Sequence, residues 1–119
     1  MTHPYKLEVE EMLLKFGDLY SFEDILECIA AGKMQSFALM DSWAVTQICE
    51  FPKRRVLDIV FVVGDIPTLE LLESDIIGFA RQQNISLLSA NGRKGFIREA
   101  FDGWTMVSAT FIKDLSDGS

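Results

Sequence analysis

The pattern of apolar and polar positions is clearest between residues 56 and 91. Val56-Leu57-Asp58-Ile59-Val60-Phe61-Val62-Val63 is a β-branched apolar run broken only by Asp58 and stopped by Gly64. Runs of this kind fit a strand covered on both faces. Leu69, Leu72, Ile76, Phe79 and Ala80 then recur at helical spacing. A second short apolar run, Ile85-Ser86-Leu87-Leu88-Ser89-Ala90, precedes the turn signal Asn91-Gly92. A strand, a crossover helix and a second strand are predicted, with the strands parallel and close neighbours.

The flanking pattern completes an α/β (α+β) fold. Tyr5, Val9, Met12, Leu13 and Phe16 form a helical stripe after Pro4, and Gly17 is a fitting stop. Ser21 and Asp24 form a capping box with a shortened acid, ahead of the stripe Phe22, Ile25, Leu26, Ile29 and Ala30. Two amphipathic helices should therefore cover one face of a sheet. Residues 35–40 and 43–51 read as strands around an Asp41-Ser42 turn, and Pro52-Lys53-Arg54 returns the chain to the central strand. An antiparallel meander follows, with Lys53, Arg54 and Arg55 at its tip. Thr68 is placed to cap the crossover helix, which should end near Asn84. Residues 93–101 read as a short helix, 104–115 as a last strand and 116–119 as a loose tail.

At 119 residues and 49% hydrophobic, the chain reads as one domain able to bury a core without disulfides or metal. Residues 1–20 form its helical extension. No apolar run is long enough to span a bilayer, and no basic-then-apolar leader opens the sequence, so the expectation is a cytosolic protein. Cys28 and Cys49 lie among apolar residues without a C-x-x-C spacing and read as reduced thiols. His3 is the only histidine, which argues against zinc and against Ser-His or Cys-His catalysis.

Net charge is −7, unfavourable for nonspecific nucleic-acid binding. It is also segregated. Residues 1–30 carry seven acids against two bases, while six of the eleven bases form two clusters, Lys53-Arg54-Arg55 and Arg93-Lys94 with Arg98. Those six are the interaction candidates, and the plainer reading of each cluster is a solvated charged surface.

The order helix, helix, three strands, helix, strand, helix, strand resembles the GNAT acetyltransferase superfamily in a trimmed form. So does the closing stretch Gly92-Arg93-Lys94-Gly95-Phe96-Ile97-Arg98-Glu99-Ala100-Phe101-Asp102-Gly103-Trp104. Together with residues 37–48, it is similar to small GNAT-like proteins of tailed phages and prophages. The resemblance covers roughly residues 21 to 115. It implies a mixed sheet with helices on both faces, and acetyl-CoA held by backbone amides at the start of the crossover helix.

In active members that start carries Gln/Arg-x-x-Gly-x-Gly/Ala, which lets a pyrophosphate approach the amides closely. Here the matching segment is Gly64-Asp65-Ile66-Pro67-Thr68-Leu69-Glu70. It has one glycine, a proline without an N–H, and two acids. Val62, Val63, Gly64 and Thr68 are the candidate cofactor contacts, with helix capping as the simpler role of the segment. The late helix offers Phe96 and Phe101 where the family has an acidic tyrosine. Glu50 and Asp58 are the candidate bases. Glu50 also reads as a solvated strand residue, and Asp58 as a hydrogen-bonded structural acid.

The resemblance implies a non-catalytic GNAT-like protein acting through protein–protein binding, with a phage structural or host protein as partner. Its place would be the virion or the host cytoplasm, and self-association is open to it. The alternative is an active N-acetyltransferase using acetyl-CoA with a relaxed motif.

Overall fold

The computed structural model describes residues 5–15, 17–90, 113 and 115. The chain opens with α1 (Lys6–Lys15) and α2 (Phe22–Ala30). The capping box at α2 forms as the sequence predicts. Ser21 Oγ accepts from the Asp24 amide at 3.0 Å, and the Ser21 amide donates to Asp24 Oδ2 at 2.9 Å. Three strands follow, β1 (Gln35–Leu39), β2 (Ser42–Glu50) and β3 (Arg55–Val63), then α3 (Ile66–Gln82) and β4 (Leu88–Ala90).

The sheet order is β1-β2-β3-β4. The first three strands form an antiparallel meander, and β3 pairs in parallel with β4 through the α3 crossover. This is the predicted mixed α/β architecture. Between β2 and β3 the register shifts, because Val45 faces Phe61 while the next residue, Thr46, faces Ile59. Val60 is thus an extra residue on β3, a bulge that re-aims the side chains on either side of it.

The bulge explains how one strand serves two cores. Leu57 and Ile59 point into a cluster with Ala44, Leu69, Leu72, Ile76, Ala80 and Ile85 beneath α3. Phe61 and Val63 point the other way, into a cluster with Val9, Leu13, Phe22, Ile25, Met34, Trp43 and Val45 beneath α1 and α2. Each fully buried Leu or Ile contributes roughly 1.5–3 kcal/mol relative to exposure. Trp43 centres the second cluster. Its ring lies 5.1 Å from Phe61, 6.1 Å from Phe22 and 6.3 Å from Tyr5, centroid to centroid. Its indole N–H donates to Ser36 Oγ at 2.7 Å, which satisfies the one polar atom the ring carries into the core.

Three local expectations shift. The β1–β2 turn is Met40-Asp41, not Asp41-Ser42, and Ser42 is already paired with Leu39. Met40 takes a φ of +52°, the left-handed conformation that two-residue hairpins require. The crossover helix starts at Ile66 with Asp65 at the N-cap, not with Thr68 as cap. Pro67 lies in the first turn, where its missing N–H costs nothing, so the helix can begin ahead of it. Thr68 is buried inside that turn. Strand β4 begins at Leu88 rather than Ile85. Ile85 instead anchors the connection, with its amide donating to the Ala80 carbonyl at 2.8 Å. The expected helix at 93–101, the strand at 104–115 and the tail at 116–119 fall outside the described residues, apart from 113 and 115.

Candidate functional site

The end of β3 leads straight into α3, so Val62, Val63, Gly64 and Thr68 surround the mouth of that helix. They do not share one surface. Val62 packs against the α3 cluster and Val63 against the Trp43 cluster, while Thr68 is buried. Gly64 takes a φ of +133°, and a Cβ there would drive into Ser42. The glycine is therefore required by strand packing before any question of ligand approach arises. Asp65 occupies the N-cap position without a side-chain cap bond.

The electrostatics at this mouth come from three elements. The Tyr5 phenol, stacked on Trp43, has its pKa pushed up first by burial, then by the nearby charges of Asp41, Glu8 and Asp65. The start of α1, the β1–β2 turn and the N-cap of α3 thus converge on one tyrosine, each bringing a carboxylate. None of the three carboxylates forms an ion pair among the described residues. A helix N-terminus attracts anions, and this one carries a carboxylate, Asp65, at its N-cap and Pro67 in its first turn. A diphosphate would meet few amides and several carboxylates.

A second arrangement lies further back along β3. Asp58 is half-buried and accepts a 2.7 Å hydrogen bond from Ser89 Oγ, across the parallel β3–β4 pair. Gln47 faces it on β2. The Cys49 thiol has its pKa raised by burial and, secondarily, by the charge of Asp58, so it stays protonated and is a poor nucleophile. Glu50, the other candidate base, is not brought to Asp58. It is exposed at the end of β2, with Oε1 3.7 Å from Arg55 Nε. That distance makes an ion pair but no hydrogen bond, and at this exposure it contributes little. β4 pairs with Leu57, Asp58 and Ile59 only. Beyond Ile59, β3 has no partner on that side among the described residues.

The basic turn proves to be engaged. Arg55 Nη1 donates to the Gln83 carbonyl at 2.9 Å, capping the C-terminal end of α3. Arg54 Nη2 donates to Ser86 Oγ at 2.9 Å. Both arginines thus tie the β2–β3 hairpin to the α3–β4 connection, and Lys53 remains exposed. Arg93, Lys94 and Arg98 lie outside the described residues. A cleft of about 310 Å³ opens beside the end of α3, lined by Ile77, Ala80, Arg81, Ile85, Ser86 and Leu88. It contains none of the candidate cofactor contacts. Among the described residues no group of acids, cysteines or histidines could hold a metal ion.

Sequence reasoning missed Tyr5, Glu8, Asp41 and Ser42. The first two read as ordinary positions of an amphipathic helix, and the other two as a turn. No local signal says that these segments meet at the start of α3.

No protein-family model matches the chain. No curated protein matches it either. Solved structures do. The wild-type TTHA1254 protein of Thermus thermophilus is 13% identical with a TM-score of 0.60, over 94% of this chain and 97% of that one. An aminoglycoside acetyltransferase, meta-AAC0020, from an uncultured soil metagenomic sample is 11% identical with a TM-score of 0.64, over 92% and 86%. The fold is GNAT-like. At these identities the likeness carries the architecture and leaves the activity to be argued from this chain's own residues.

Proposed function

We infer that this chain is a GNAT-like domain that does not hold acetyl-CoA at the start of α3 and that works by binding another protein. The observation that carries the reading is the first turn of α3, with the Asp65 carboxylate at its N-cap and the charges of Asp41, Glu8 and Asp65 all felt by Tyr5. Pro67 and the single glycine add to it, since the first turn has fewer amides to offer an anion. Segregated charge, with an acidic N-terminal third and basic clusters elsewhere, suits oriented docking on a partner. The resemblance of residues 37–48 and 92–104 to phage and prophage proteins supports a phage structural protein or a host protein as that partner, in a virion-associated, assembly or host-targeting role.

Thermal denaturation with acetyl-CoA tests this reading. A ligand present at one hundred times its dissociation constant adds roughly 2.7 kcal/mol of stability. The expected result is no change in Tm at millimolar cofactor, and a saturable rise would reject the reading.

The competing reading is an N-acetyltransferase in which Asp58 takes a proton from an incoming amine. The bulge at Val60, and a β3 edge beyond Ile59 with no partner on the β4 side among the described residues, favour it. Cofactor-dependent acetylation of an amine that disappears in Asp58→Asn would establish it.

A further inference from the structure

Strand β1 is an outer strand of the sheet among the described residues, and its own sequence carries no guard. Gln35-Ser36-Phe37-Ala38-Leu39 contains no charge and no proline. The register shift in the sheet lies between β2 and β3, not here. Edge strands of monomeric proteins are ordinarily blunted by at least one of these devices, because unpaired N–H and C=O groups recruit another strand. Met40, at the end of β1, leaves 81% of its surface exposed.

The two ends of the strand differ in charge. Lys33 precedes it and Asp41 follows it, both exposed and neither in an ion pair among the described residues. Antiparallel pairing of β1 with its own copy about a two-fold axis at Phe37 sets Phe37 against Phe37, Ser36 against Ala38 and Gln35 against Leu39. This antiparallel arrangement sets the Lys33 end of each copy towards the Asp41 end of the other, twice over. A parallel pairing would instead set like charges end to end. A foreign strand could satisfy the backbone equally well, but only a second copy carries this inverted charge pattern by necessity. The central aromatic pair adds a favourable cross-strand contact.

We propose that β1 is a self-association edge, pairing antiparallel with β1 of a second copy so that the Lys33 end of each faces the Asp41 end of the other. The contact is isologous and closes as a dimer. It turns a basic residue towards one of the carboxylates whose charge is felt by Tyr5. It goes beyond the protein-binding reading and does not depend on the cofactor question.

Sedimentation velocity across a concentration series tests it, with hydrogen exchange of the β1 amides measured on the same samples. The wild type should dimerise, and amides within residues 35–39 should gain protection as concentration rises. Lys33→Glu and Asp41→Lys each turn two attractions into two repulsions and should weaken the dimer about tenfold. The double variant Lys33→Glu/Asp41→Lys restores opposite signs and should return to within about threefold of wild type. All these changes are at exposed positions, and an unchanged far-ultraviolet spectrum separates lost pairing from lost folding. A protein monomeric throughout the series would overturn the proposal. So would a dimer indifferent to the charge swaps, or β1 amides whose exchange ignores concentration. Protection of β1 only when a different protein is added would overturn it as well.

Discussion

Gly64 lies flush against Ser42: a methyl group added at Gly64 would sit 2.6 Å from the Ser42 Cβ and 2.7 Å from its Cα. The contact is with backbone as well as side chain, and the glycine's φ of +133° is one that an L-residue adopts only under strain. Gly64→Ala should therefore lose roughly 3 kcal/mol or more in urea unfolding. Ser42→Ala should behave oppositely. Its Oγ is buried without a hydrogen-bond partner among the described residues, so removing it should be neutral or stabilise by up to about 1 kcal/mol. Trimming Ser42 to Ala should not rescue Gly64→Ala, because the Ser42 Cα and Cβ remain.

The Asp58–Ser89 hydrogen bond ties β3 to β4, which are joined by three residue pairs among the described residues. Ser89→Ala leaves a half-buried carboxylate without this donor. The expected loss is about 1–2 kcal/mol in urea unfolding. Faster amide exchange around Leu88 and Ala90, with α1 and α2 unaffected, would show that the damage is local.

Arg55 caps the end of α3 from a different element. Arg55→Ala should cost about 1 kcal/mol, from the lost carbonyl partner and the lost positive charge at a helix C-terminus. Arg54→Ala should cost less, since its bond to Ser86 is solvent-exposed. If the two cost the same, the capping account of Arg55 is wrong.

Stability should fall at both ends of the pH range, for different reasons. The backbone amide of Ser21, then its side chain, lowers the Asp24 pKa. A lowered folded pKa gives stability that is present above the ordinary carboxylate range and lost as pH falls through the folded value. Asp24→Asn should flatten the acid limb of a Tm–pH curve. Tyr5 is raised, by burial and then by Asp41, Glu8 and Asp65. Its contribution is present below the unfolded phenol pKa and lost as pH rises through the folded value. Tyr5→Phe should flatten the alkaline limb.

The architecture was legible because its signals are local. The β-branched run 56–63, the Ser21–Asp24 box and the stripe Leu69, Leu72, Ile76 and Ala80 each fix one element, and a crossover helix makes its flanking strands parallel. The bulge at Val60 was not legible, since an extra residue within an apolar run leaves the composition unchanged. Pro67 pointed to a helix start but not to which residue stands ahead of it. The start of α3 was legible only in its own residues. Asp65 and Pro67 stand in the sequence as poor phosphate ligands, whereas Glu8 and Asp41 reach the same place only through tertiary packing.

Amide NMR during titration with acetyl-CoA tests the central claim most directly, by following Gly64, Asp65, Thr68 and Leu69 at the mouth of α3. The account predicts that these resonances stay fixed up to about 1 mM cofactor, where even binding worth roughly 4 kcal/mol would show. Saturable movement of the same four amides, with a dissociation constant of about 1 mM or tighter, would contradict it.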